Sequence, residues 1–411
     1  MAKEVFSNYI RTYVDWKVII CAIALTVIGL LSVFSATHDS AMAGHFTHQM
    51  VAACIGIILM FMMMFSSERI LDWIAYPAYG FAILCLIAVL LIGRSAYGAR
   101  AWINILGFSY QPSEFAKLAT ILALSKFLTH SPRDLRRISD LAIAAGIVFI
   151  PVILVLLQPD AGTTTVFFVI LFGMMLWTGA DLFLLLVIAS VPIICIAAFI
   201  GTIPAIVVTI CAVGGVFAFR RRFLTTIIAA SICIVAAFST NIVYQHIKPH
   251  QQRRIDVFLH PSKDPLGAGY NELQAQMAVG SGGLIGKGFL QGTQTQLRYI
   301  PKQWTDFIYC VPTEEFGFIG GATVVILFTV LLWRGVWIAS QSRQQFASNA
   351  AIGIVTMILF HATVNMGMDM GLVPVMGIPL PFLSYGGTFL MVDLLCVGIL
   401  LNVFRTRFVW R

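Results

Sequence analysis

Charged residues are scarce in this chain: Asp, Glu, Lys and Arg make up 11% of its 411 residues, where a soluble domain carries roughly 25%. Hydrophobic residues fill 59% of it, and that balance excludes a water-soluble globule. Fixed-period repeats, low-complexity tracts and polar blocks large enough for a soluble domain are also missing. The 8 cysteines lie in or beside apolar runs, with no CxxC pair and no framework in the polar loops. They read as small core residues rather than disulfides or metal ligands. His246 and His250 are four apart, a spacing that suits a metal on a helix, yet no HExxH string or Cys partner accompanies them and no structural zinc site is expected there. No nucleic-acid partner is expected.

Long apolar runs are what the chain has instead. They are Val18 to Ser35, Thr47 to Phe65, Ile74 to Ile92, Pro112 to Leu128, Leu141 to Leu157, Thr163 to Thr178, Leu182 to Ile200, Ile203 to Phe219, Phe223 to Tyr244, Val311 to Trp333, Ala350 to Met370 and Thr388 to Phe404. Most reach the ~17–25 residues that a membrane-spanning helix needs. The expected fold is therefore all-α, a polytopic membrane protein of about 12 transmembrane helices forming one domain over residues 1–411. The first run reads as an anchor rather than a secretion signal, being too long and lacking a clear small-residue cleavage site.

Charge sets the orientation. Lys3, Arg11, Lys17, Arg69, Lys126, Arg133, Arg136, Arg137, Arg220, Arg221, Arg222, Arg334, Arg343, Arg405, Arg407 and Arg411 fall on one face. That face reads as cytoplasmic and carries both termini. The remaining basic residues form two outward groups. Arg94, Arg100 and Lys117 make one; Lys248, Arg253, Arg254, Lys263, Lys287, Arg298 and Lys302 make the other. Such groups suit an anion-binding surface, although a long loop crosses regardless of its charge, so the second group leaves both readings open. The polar stretch 245–310 is too long to be an idle connection and is expected to be a large extracytoplasmic functional loop.

Three constellations can carry chemistry. In the long loop, Asp264 stands between Lys263, which can hold its carboxylate ionised, and Pro265; it is either a site acid or an ordinary turn starter. Glycines from Gly267 to Gly292 allow close backbone approach to a head group, while the string ending Gly286-Lys287-Gly288 departs from a nucleotide-binding P-loop. At the mouth of the fourth helix, Gln111-Pro112-Ser113-Glu114-Phe115-Ala116-Lys117 puts Glu114 and Lys117 on one helical face. Charges near bilayer depth normally face protein or a water-filled cavity; the alternative is a self-neutralising interfacial pair. The third set holds Asp160, which can be only a helix N-cap, with Thr305, Asp306, Glu314 and Glu315. Adjacent glutamates cannot share one helical face, so at most one of Glu314 and Glu315 should enter a site. His361 reads as a hydrogen-bonded helix contact, and Asp369 and Asp393 carry no assignment.

Taken in order, these motifs resemble the SEDS family (shape, elongation, division and sporulation). The matching strings are Gly98 to Trp102, Gln111 to Lys117, Gln158 to Thr163, Asp264 to Tyr270, Gly280 to Gly288, Gly292 to Gln294, Thr305 to Ile308, Glu314-Glu315 and Ile378 to Thr388. The stretch Gly288 to Gln294 resembles the RodA (elongation) branch rather than the FtsW (division) branch. Lys302, Trp304 and the order Arg100-Ala101-Trp102 depart from the common pattern.

The resemblance implies a ten-helix core, so that residues 182–219 would be an inserted helical hairpin. It also implies a glycosyltransferase that polymerises lipid II into peptidoglycan at the outer face of the bacterial cytoplasmic membrane. Asp264 would be the base, Arg100 and Lys117 would hold the departing pyrophosphate with Glu114 orienting Lys117, and Asp160, Lys287, Thr305 and Asp306 would shape the substrate site. The substrate and product would be lipid II and undecaprenyl diphosphate. The partners would be a class B penicillin-binding protein and other elongation-complex membrane proteins. No cofactor is certain; a divalent cation, Mg or Mn, between Asp264 and pyrophosphate is chemically reasonable, although no protein-only ligand cluster is evident. A flippase for lipid-linked precursors and a scaffold for wall enzymes are the rival readings.

Overall fold

The computed structural model describes residues 13–38, 44–96, 99–105, 108–129, 138–218, 223–246, 252, 256–258 and 268–407. The chain divides into two compact units, one formed by Met1–Met174 with Asn271–Arg411 and the other by Met175–Tyr270.

In the first unit, the chain builds α1 (Trp16–Thr37), α2 (Gly44–Phe65) and α3 (Glu68–Ile92), then α4 (Pro112–Thr129), α5 (Ile138–Leu157) and α6 (Ala161–Trp177), whose last turn belongs to the second unit. After the second unit it returns through α10 (Ala268–Ser281), whose start up to Tyr270 belongs to the second unit, α11 (Thr293–Gln296), α12 (Cys310–Glu315), α13 (Gly317–Gln341), α14 (Gln345–Asp369) and α15 (Gly387–Thr406). Among the described residues, eight helices of the two units are long and apolar enough to cross a membrane, and α6 is a shorter apolar helix. The charged residues Glu114, Lys117 and Lys126 interrupt the hydropathy of α4.

The packing order follows from which helices hide their surface. In α15, 83% of the spanning window is buried, and in α14 72%, against 22% in α3. α14 and α15 therefore form the centre, while α3 turns Trp73, Leu84, Leu91 and Ile92 outward, as suits contact with hydrocarbon. The pairing of α2 on α15 depends on small residues: a Cβ on Gly398 would press on the Met60 backbone, and one on Gly56 on Leu394.

Two features depart from the sequence expectations. Between α3 and α4 the chain forms a small antiparallel sheet, β1 (Arg94–Ala96), β2 (Ala99–Ile105) and β3 (Phe108–Tyr110), in that spatial order. The run Val311 to Trp333 is also not one helix. It breaks at Phe316 and Gly317, where Gly317 takes φ 64°, a conformation that an L side chain adopts only at a cost.

Contacts sort the first unit into two ends. At one end Asp15 caps α1 and accepts from Arg334 Nε at 2.9 Å, Asn402 donates to the Ser66 carbonyl at 2.7 Å, and Lys126 pairs with Asp72 at 3.3 Å. The opposite end joins the C-termini of α1, α3 and α14 to the N-termini of α2, α4, α6, α13 and α15, and every described motif of the sequence analysis lies there.

The second unit holds α7 (Leu182–Ile200), α8 (Thr202–Ala218) and α9 (Phe223–His246). Asp181 caps α7 by accepting from the Phe183 N–H at 3.1 Å. α9 completes the packing of α7 and α8 through two small cores, Val187, Val216 and Ala229, then Ile194, Cys233 and Ala236. Residues 182–218 thus fold as part of a three-helix arrangement with α9.

Candidate functional site

Pro112 opens α4, where a missing N–H costs nothing, and the helix then presents Glu114 and Lys117 from one face. Lys117 Nζ lies 2.7 Å from Glu114 Oε2, and the two residues are only 1% and 3% exposed. The pair is therefore interior rather than interfacial. His361 of α14 comes within 3.0 Å of the same ammonium through Nε2, and its Nδ1 lies 2.8 Å from the Met357 carbonyl oxygen. The Phe389 ring of α15 covers the ammonium, its centroid 5.7 Å away. His361 is thus a contact of the candidate site as well as a helix contact. Sequence spacing could not identify it, because it lies 244 residues from Lys117.

Asp160 sits at the start of α6 as an N-cap, accepting from the Thr163 N–H at 3.0 Å and the Thr163 hydroxyl at 2.8 Å. It is also within electrostatic reach of Glu114, so capping does not remove it from the neighbourhood of the α4 pair.

A second network ties the glycine-rich loop to α12. Lys287 Nζ lies 2.8 Å from Glu314 Oε1 and also donates to the hydroxyls of Ser281 and Thr293. Glu314 further accepts from the N–H groups of Gln294 at 2.8 Å and Thr295 at 2.9 Å. Burial opposes ionisation of Glu314, but the bonds from Lys287 and Thr295 and those backbone donors outweigh it and hold the carboxyl below its ordinary range. Glu315 turns the other way, accepting from Ser35 of α1 and from the Leu290 N–H at 3.2 Å. Burial dominates there and pushes its carboxyl up. The two glutamates do not share a face, yet both are buried in networks of their own.

Two glycines of this loop, with Gly317 opposite, serve the same closure. A Cβ on Gly286 would collide with the Glu315 carbonyl, one on Gly282 with that of Thr313, and one on Gly317 with the Gly286 amide. Backbone bonds complete the clasp, Lys287 N to Glu314 O at 3.1 Å and Gly288 N to Glu315 O at 2.9 Å. The close approach that these glycines permit is to α12 and α13.

Thr305 and Asp306 are fixed by their main chains. Ser384 Oγ donates to the Thr305 carbonyl at 2.7 Å, and Asn365 Nδ2 to that of Asp306 at 2.8 Å. The stretch that contains Ser384 is itself held by Gln49, which donates to the Ser384 carbonyl at 3.1 Å and accepts from Gly386 N at 3.0 Å. Thr388 reaches the Ser109 carbonyl at 3.2 Å. Asp369 and Asp393, unassigned from sequence, are both buried: Asp369 accepts from the Cys310 amide at 3.1 Å and Asp393 from that of Phe382 at 3.2 Å.

Of the remaining sequence candidates, Asp264 and Lys263 lie outside the described residues, as does His250. Arg100 is placed by its backbone in β2, opposite Ser95. Among the described residues no group of three or more His, Cys, Asp or Glu side chains could hold a metal; Asp264, which the resemblance pairs with a divalent cation, lies outside them.

Comparison with known proteins identifies the framework. A family model described as a cell cycle protein, covering FtsW, RodA and SpoVE, matches residues 15–210 and 200–408. The peptidoglycan glycosyltransferase RodA of Treponema pallidum (strain Nichols) is 32% identical, with 95% of this chain and 97% of that protein covered. Stage V sporulation protein E of Bacillus subtilis (strain 168) is 34% identical over 96% and 98%. Among solved structures, a chain of a peptidoglycan synthase complex that coordinates polymerization and crosslinking superposes with a TM-score of 0.73 at 30% identity, covering 96% of this chain and 98% of that one. RodA of Thermus thermophilus gives 0.64 at 27% identity, covering 96% and 98%. This all-α, multi-pass membrane protein belongs to the FtsW, RodA and SpoVE family, the SEDS family.

Proposed function

We propose that this chain polymerises lipid II into glycan strands during cell elongation, with its site at the outer face of the bacterial cytoplasmic membrane. It is an enzyme of the peptidoglycan glycosyltransferase class, as its full-length relatives are named. The observation that carries the reading is the gathering of separated motifs at one end of the first unit, around the buried Glu114, Lys117 and His361. A flippase needs polar groups along the whole crossing, whereas these groups collect at one end. Many of the basic residues assigned to the cytoplasm, among them Arg334, Arg405 and Arg407, lie at the other end, which supports an outward-facing site.

In the proposed step the acceptor GlcNAc 4-hydroxyl attacks the MurNAc anomeric carbon. The bond from that carbon to the diphosphate oxygen breaks as the new glycosidic bond forms, so configuration inverts. Undecaprenyl diphosphate leaves with the electron pair, and the Asp264 carboxylate takes the hydroxyl proton. Arg100 and Lys117 offset the negative charge on the leaving group. A class B penicillin-binding protein is the proposed partner, consistent with the complex whose chain superposes on this one. The Gly288 to Gln294 stretch favours elongation over division.

The test is polymerisation of labelled lipid II by reconstituted protein, alone and with the transpeptidase. Asp264→Asn should remove about 10²–10⁴-fold of the rate while leaving thermal unfolding unchanged. Normal polymerisation by that variant refutes the base assignment. Transbilayer movement of lipid II by a wild-type protein that makes no polymer establishes the flippase instead.

A further inference from the structure

Lysine has donors only, so the 3.0 Å contact of Lys117 with His361 Nε2 must be an N–H donated to a ring lone pair. The other ring nitrogen settles the tautomer. Nδ1 lies 2.8 Å from the Met357 carbonyl oxygen, itself acceptor only, and so carries the proton. His361 is therefore neutral, with Nε2 aimed at the ammonium. A doubly protonated ring would set an N–H against that cation with nothing between them to accept it.

An ammonium has three N–H donors. Glu114 Oε2 takes one at 2.7 Å and His361 Nε2 another at 3.0 Å. Among the described residues the third has no hydrogen-bond acceptor, and the Phe389 ring lies 5.7 Å away by its centroid. The two bonds, one to Glu114 on α4 and one to His361 on α14, together hold the ammonium in place and set where that third donor points.

We propose that His361 is a positioning residue for glycosyl transfer: the neutral imidazole braces Lys117 against Glu114 so that one ammonium N–H is kept for an oxygen of the substrate's diphosphate. The inference rests on the reading of Lys117 as a group that serves the leaving diphosphate. The charged and titratable groups in electrostatic reach of the cluster are Glu114 on α4, Asp393 and Cys396 on α15, and Asp160 at the start of α6, which reaches Glu114.

The test uses the full-length protein with its transpeptidase partner and lipid II, with initial rates followed over lipid II concentration. His361→Phe should lower the rate about tenfold to a hundredfold, as loss of a hydrogen bond to a charged group does. His361→Gln, whose Oε1 can accept the same bond, should restore much of the rate. A His361→Phe enzyme with the wild-type rate overturns the proposal, as does an equal loss in both variants. Should neither variant fold, nitrogen NMR of the wild-type imidazole decides the matter: a proton on Nδ1 is expected, and a proton on Nε2 overturns it. If the wild type makes no polymer, the glycosyltransferase reading has failed, and the tautomer measurement still judges the brace separately.

Discussion

Lys287 and Glu314 meet at 2.8 Å across 27 residues of chain, and the contact closes the glycine-rich loop onto the short helix that precedes the break at Gly317. Lys287 is about one quarter exposed while the Glu314 side chain is fully buried. The carboxylate therefore depends on its donors for compensation, and its loss should cost more than an exposed ion pair would.

The two adjacent glutamates should respond to pH in opposite senses. Glu314 is held below its ordinary range, so its stabilisation is present above that range and lost as pH falls through the depressed value. Glu315 is pushed up by burial, so the folded state favours its protonated form and loses stability as pH rises through the raised value. Thermal unfolding of Glu314→Gln should show a deficit of about 1–3 kcal/mol at neutral pH that disappears in acid. Glu315→Gln should match or exceed the wild type at neutral pH and converge with it in acid. Parallel curves for the two variants would contradict this account.

Glycines in one loop should differ sharply in their tolerance of alanine. Gly286→Ala drives a methyl into the Glu315 backbone at φ 87° and is expected to cost on the order of 3 kcal/mol and most of the activity. Gly283→Ala, at φ 58° with open space around it, should cost only about 1–2 kcal/mol, the left-handed backbone penalty. Unfolding temperatures and polymerisation rates measured side by side check the contrast; equal effects would mean that the clasp is not what requires glycine.

Removing one member of the buried α4 pair strands the other. Glu114→Leu or Lys117→Met should each destabilise by about 3–5 kcal/mol, whereas the double substitution should recover much of that loss. All three should be inactive in polymerisation. A double variant as unstable as the sum of the singles would show that the ion pair is not the source of the cost.

Asp369 tests a group that the sequence left without a role. One of its oxygens accepts from the Cys310 amide, and the other has no partner among the described residues. Asp369→Asn, which keeps an acceptor for Cys310, should stay within about 1 kcal/mol of the wild type, while Asp369→Ala should cost about 1–3 kcal/mol by leaving that amide unmade. Denaturation in detergent measures both, and a severe loss in the Asn variant would show that the carboxylate charge itself is required.

Whatever depends on neighbours within a turn or two was readable from the residues. The apolar runs predicted the long helices to within a few residues at most ends, and i, i+3 spacing placed Glu114 beside Lys117. The cap at Asp160 followed from its position before Ala161-Gly162-Thr163. Even the separate directions of Glu314 and Glu315 follow from helix geometry. The family resemblance drew on the same strings, because motifs are local objects.

Tertiary structure decided what each of those groups meets. His361 becomes a partner of Lys117 only when α14 packs on α4, and Glu315 finds Ser35 across 280 residues. The break at Gly317 and the small sheet after α3 were hidden because an apolar run carries no mark of where the backbone must yield to another segment. Of the glycines in the 280–288 stretch, which read as a cradle for a ligand, Gly282 and Gly286 are the ones whose missing side chains admit α12. Sequence determined which residues could not stay in lipid alone; only packing chose their partners, because hydrogen bonds and ion pairs are fixed by distances that the chain sets after it has folded back on itself.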